Sequence, residues 1–161
     1  MKKLFPIILL FSSFIFCQRL TSNIDLYKSN IVILPKDNQL EVKTYVEIFN
    51  RNLQFVKFQD GFKSSYELKI AIIDEDGNRI KEETVSEEII VNSFSETVSQ
   101  SNPKIILNDF IIPKKQFSVN FAVKDLDTKL IGKRQKKFNK KQLPFDEELK
   151  VYEPIFFKFK D

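Results

Sequence analysis

Between Leu40 and Ile48 every even position is apolar or β-branched (Leu40, Val42, Thr44, Val46, Ile48), and Glu41, Lys43 and Glu47 stand between them. A period of two sends alternate side chains to opposite faces, so the stretch is a half-buried strand that leaves Tyr45, and Phe49 just beyond it, on the outer side. After a link at residues 50–52 and a short apolar piece at 53–58, the even parity returns in Tyr66, Leu68, Ile70 and Ile72 against Lys63, Ser65, Glu67 and Lys69. Residues 74–78 then form an acidic turn containing Asp76-Gly77, a pair that tolerates the positive φ of a tight reversal. The clearest alternation follows later, where Phe117, Val119, Phe121 and Val123 face one way and Ser118, Asn120, Ala122 and Lys124 the other.

The remaining segments read as shorter strands separated by turn residues. Residues 30–34 form a strand ended by Pro35, Lys36, Asp37 and Asn38. The run 79–91 changes parity between Ile80 and Val85, which implies a bulge or a change of sheet. Residues 92–103 are rich in Ser, Asn and Gln and read as a loop or edge piece with Phe94 and Val98 tucked in. Ile105, Ile106, Leu107, Phe110, Ile111 and Ile112 predict a buried strand closed by Pro113. A hairpin at 125–128 leads to a strand at 129–137. An acidic and apolar connector occupies 143–153, and residues 155–159 form a last strand. The predicted fold is therefore all-β: an immunoglobulin/fibronectin-like antiparallel β-sandwich of about 7–9 strands.

Ahead of this lies Met1-Lys2-Lys3 and an apolar run over 4–16, about thirteen residues, which fits a secretory signal and is short for a membrane span. The expected division is a signal peptide at 1–17 and one domain at 18–161; 161 less 17 leaves 144 residues, enough for a single core. Cys17 is the lone cysteine, so the exported part has no internal disulfide and rests on packing. Membrane contact is expected only if Cys17 is lipidated, which bulky Phe16 disfavours, or if the leader is retained. Loss of Lys2 and Lys3 lowers the formal charge from +4 to +2, too little for a nucleic-acid partner.

Histidine is absent from the chain, which removes the usual general base, zinc ligand and activator of a Ser or Cys nucleophile. Glu82, Glu83, Glu87 and Glu88 are carboxylates of the type glycosidases use, but Glu clustered on a strand reads as a solvated face. Asp74, Asp76 and Asn78 begin like a calcium loop; Arg79 at the sixth position and Val85 at the twelfth break the register, which leaves a hairpin turn. No enzyme activity, cofactor or metal is expected. The sharpest charge feature is the run Lys133, Arg134, Lys136, Lys137, Lys140 and Lys141, a candidate contact for an anionic surface or glycan and also the composition of a protected edge strand.

Tyr45, Val46, Leu53, Phe55, Phe62, Tyr66, Asp74 and Gly77, within the stretch from Leu40 to Ile80, resemble the amino-terminal sandwich region of bacterial GWxTD-domain-containing proteins. The name-giving Gly-Trp-x-Thr-Asp motif is absent, since the chain has no Trp. The resemblance implies a sandwich fold and an envelope location, and carries no activity. The expected function is that of a non-catalytic, exported domain acting through protein contacts in the bacterial cell envelope, with another envelope protein as partner. The alternative is a glycan- or anionic-surface-binding module.

Overall fold

The computed structural model describes residues 25–143 and 150–152; the expected leader with Cys17 and the expected strand at 155–159 lie outside them. Among the described residues nine strands form two antiparallel sheets. The first joins β6 (Lys104–Pro113), β2 (Gln39–Ile48), β1 (Tyr27–Lys36) and β9 (Lys150–Tyr152) in that order. In the second, β4 (Gly61–Asp74) carries β5 (Arg79–Val91) along one edge. Its other edge carries β3 (Val56–Phe58) and then β7 (Phe117–Asp125), and β7 carries β8 (Ile131–Phe138). Strands β6-β2-β1 against β5-β4-β7-β8 make an all-β sandwich of the immunoglobulin/fibronectin kind.

The core lies between the sheets and takes its residues from the predicted parity. Leu40, Val42, Val46 and Ile48 of β2 meet Tyr66, Leu68, Ile70 and Ile72 of β4 and Phe117, Val119, Phe121 and Val123 of β7, all buried. The Tyr27 hydroxyl crosses the core to donate to the Phe121 carbonyl at 3.2 Å. Burial pushes both the Tyr27 and the Tyr66 phenols well above their ordinary range. The parity change in β5 is a bulge: Ile72 pairs with Lys81 but Ile73 with Arg79, so Ile80 is the extra residue and turns onto the core.

Two aspartates fix the hairpins of the second sheet. Asp74 Oδ1 accepts from the backbone N–H of Asp76 (3.1 Å) and Asn78 (2.7 Å), and Gly77 supplies φ 86°. Asp125, only 2% exposed, accepts from the N–H groups of Gln54 (2.7 Å), Asp127 (2.8 Å) and Thr128 (2.9 Å), which ties the β7–β8 corner to the lead into β3. At the start of β4, a Cβ on Gly61 would lie 2.4 Å from the Val91 carbonyl oxygen, so only glycine allows β5 this close.

Four sequence expectations are corrected. Strand β1 is longer than 30–34, because the ladder to β2 runs from Tyr27↔Ile48 to Lys36↔Gln39 and adds Tyr27, Lys28 and Ser29 before it and Pro35 and Lys36 after it. The connector contains β9, which pairs with Ile31–Ile33. Phe94 and Val98 are 67% and 54% exposed rather than tucked in, because Ser93 and Glu96 form a capping box that starts a one-turn helix, α1 (Phe94–Thr97). In β6 Ile106, Asn108, Phe110 and Ile112 are buried; Ile105 and Leu107 have odd parity and face solvent.

Candidate functional site

The outer face of the five-stranded sheet contains a trough whose shape follows from which positions the register brings side by side. Three rows cross it: Thr84, Lys69, Ala122, Lys133; then Glu82, Ala71, Asn120, Gln135; then Arg79, Ile73, Ser118, Lys137. In the second and third rows the middle strands carry Ala71, Ile73, Asn120 and Ser118, while longer side chains stand on edge strands β5 and β8. Small residues between long ones leave a concavity of about 600 Å³, and a second of about 480 Å³ continues it past Ile73 and Gln135 toward Gly77 and Gln116.

Its electrostatics are uneven. On one wall Glu82 is bound by Lys69 Nζ at 2.9 Å and Arg79 Nη1 at 2.7 Å; the hydrogen bond from Lys69 is the main reason its carboxyl titrates below the usual range. On the other wall Lys133 and Lys137 have no carboxylate partner among the described residues, and Gln135 between them reaches Ser118 Oγ at 3.4 Å. The Asn120 Oδ1 in the floor is buried and accepts no hydrogen bond among the described residues. At the far lobe Lys115 Nζ binds Asp74 Oδ2 at 2.6 Å, and this bond is the main cause of the lowered Asp74 pKa.

The six basic residues read from sequence do not form one patch. Alternation along β8 places Lys133 and Lys137 on the trough side, whereas Arg134 and Lys136 have the parity of buried Gly132 and Phe138. Arg134 lies at the sandwich rim, where its guanidinium binds Asp25 and stands 5.4 Å from the Tyr27 ring centre. Lys140 and Lys141 belong to a separate 3₁₀ turn. The β5 carboxylates are likewise divided: Glu87 accepts from Tyr66 Oη at 3.0 Å and binds Lys104 at 2.9 Å, and Glu88 binds Lys63 at 2.8 Å. Among the described residues, no group of three His, Cys, Asp or Glu could hold a metal ion.

The other sheet has a different outer surface. Strand β6 is its edge, and Ile105 (42% exposed) and Leu107 (61%) point outward beside Glu47 and Tyr45. Asn30 flanks Tyr45 on β1, and Lys43 Nζ holds Asp109 at 2.9 Å. Among the described residues, five of the nine exposed large apolar side chains (Ile90, Phe94, Val98, Ile105, Leu107) fall between β5 and the middle of β6, which concentrates apolar exposure in one segment. The sequence pattern pointed to the trough's basic wall through Lys133 and Lys137 but to neither its floor nor the β6 surface. Odd parity at Ile105 and Leu107 was an available signal; the floor had none, because the meeting of Ala71, Asn120 and Ala122 depends on the β4–β7 register.

No family model matches the chain. No curated protein matches it either. Among solved structures it is similar to part of a protein described as a beta-galactosidase from Bacteroides fragilis (15% identity, TM-score 0.47, 69% of this chain and 16% of that one). It is also similar to part of a calcium-binding mutant of Bacteroides uniformis beta-glucuronidase 2 (13%, TM-score 0.42, 68% and 13%). A third is a beta-glucuronidase from glycoside hydrolase family 2 (9%, TM-score 0.44, 69% and 11%). The chain thus spans 11 to 16% of the length of these proteins.

Proposed function

We propose that the chain is a non-catalytic, exported β-sandwich domain of the bacterial cell envelope, related to the sandwich region of GWxTD-domain-containing proteins, and that it acts by contacting another envelope protein. The observation that carries this reading is the outer row of β6. A ten-residue strand at the edge of the sheet among the described residues, which exposes Ile105 and Leu107 and has its lysine and proline, Lys104 and Pro113, only at its two ends, has little protection along its middle of the kind that keeps edges from pairing. A partner strand laid against it satisfies the free backbone groups and covers both side chains. Export rests on the apolar leader. The absence of histidine supports a non-catalytic role, as does Glu82, whose neighbours favour the carboxylate and oppose the raised pKa that a general acid needs.

The test is capture from envelope extract by the purified exported chain, alongside Leu107→Lys and a quadruple variant with Lys133, Arg134, Lys136 and Lys137 changed to Ser. A discrete protein retained by wild type and the quadruple variant but lost with Leu107→Lys supports the reading. Retention that ignores Leu107→Lys contradicts it.

A further inference from the structure

We infer that the trough on the five-stranded sheet is a binding site for an extended acidic polysaccharide, a site separate from the β6 edge and independent of the protein contact proposed there. Three observations lead to it. The trough is long: from the Lys69 row to the Asp74–Phe117 row the strands advance five residues, roughly 17 Å at 3.4 Å per residue, and the two concavities join at Ile73 and Gln135. Its polar lining is rich in amides, with Asn120 and Gln135 in the first lobe and Gln116 and Asn139 in the second. An amide both donates and accepts, as a hydroxyl does, so this lining suits a polyhydroxylated chain.

The charges select an acidic chain. Of the trough's carboxylates, Glu82 is satisfied by Lys69 and Arg79, Asp74 by Lys115, and Glu75 accepts from the Gln116 amide, whereas Lys133 and Lys137, four residues apart on β8 and about 14 Å along the strand, have no carboxylate partner among the described residues. Two separated cations on one wall fit acid groups spaced along a polymer better than a single small anion. A peptide is a poorer occupant: the floor lies on the face of a sheet, where no backbone ladder is open to it, and Ala71, Ala122 and Ile73 make no pocket for a large apolar anchor.

The probes are oligogalacturonate (hydroxyls and carboxylates), dextran (hydroxyls only) and polyglutamate (carboxylates only), titrated into the full exported chain at low salt by calorimetry. Wild type is expected to bind oligogalacturonate at least tenfold more tightly than either control polymer. Ala122→Phe, which fills the floor without entering the core, is expected to weaken that binding at least tenfold, and the Lys133→Ser/Lys137→Ser pair about fivefold. Lys140→Ser, away from the trough, leaves it unchanged. If Ala122→Phe does not fold, the Asn120→Ala/Gln135→Ala pair takes its place, with a fivefold loss expected. Equal binding of polyglutamate, full affinity in the floor variant, or no binding of oligogalacturonate at millimolar concentration overturns the inference. None of these results bears on the Leu107 test.

Discussion

The two outer faces of the sandwich are built by the same alternation and end up with opposite surfaces. On the four-stranded sheet the exposed apolar residues sit at the margin, on β6, so the edge itself is the sticky feature. On the five-stranded sheet Val56, Phe58, Ile90 and Ile131 are exposed as well, but across the trough β5 and β8 carry charged and long side chains and small residues lie between them. The charged margins discourage strand addition and simultaneously wall a trough. What a sheet face can bind is thus set less by its overall polarity than by whether its bulk lies at the edge or in the middle.

The largest expected effect falls on the corner that holds the trough's basic wall. Asp125→Ala leaves three backbone donors without their carboxylate, and a loss of about 3 kcal/mol in urea unfolding is expected. Hydrogen exchange should show β8 amides losing protection before those of β2 and β6, separating the two sheets energetically. Next comes Leu107→Lys, expected to reduce partner capture at least tenfold while changing stability by no more than about 0.5 kcal/mol, because the side chain is exposed. A large loss of stability would show that Leu107 belongs to the core and remove β6 from the comparison.

A smaller effect is expected from acid. Lys115 and the Asn78 N–H favour the Asp74 carboxylate in the folded chain, so its folded pKa lies below the unfolded value of about 3.9. Its contribution is therefore fully present above that value and is lost as the pH falls through the folded pKa. Thermal unfolding of wild type and Asp74→Asn should differ at pH 7 and converge at the acid end; a constant gap would assign the effect to packing. The smallest change is Lys140→Ser, on the 3₁₀ turn, with stability within about 0.5 kcal/mol of wild type in the same melts.

Much of the fold was legible because β2, β4 and β7 each bury one face and keep strict even or odd parity over eight or more residues. The bulge at Ile80 was legible as a break in that parity. Strand β1 extends past its apolar centre at both ends because Lys28, Pro35 and Lys36 have poor strand propensity, yet pairing with β2 holds them. The basic run was visible as composition, but alternation sends Lys133 and Arg134 to different faces, and only the partner strand shows which face is which. Asp125 read as a turn residue. Its near-complete burial arises from the distant Gln54 N–H, a contact that no local pattern encodes.

The protein-contact claim is tested most directly inside the cell, with a photo-crosslinking amino acid placed at position 107 of the exported chain and, separately, at position 122. The account expects a discrete protein adduct from position 107 and none from position 122. An adduct from position 122 alone, or from neither position, would contradict it.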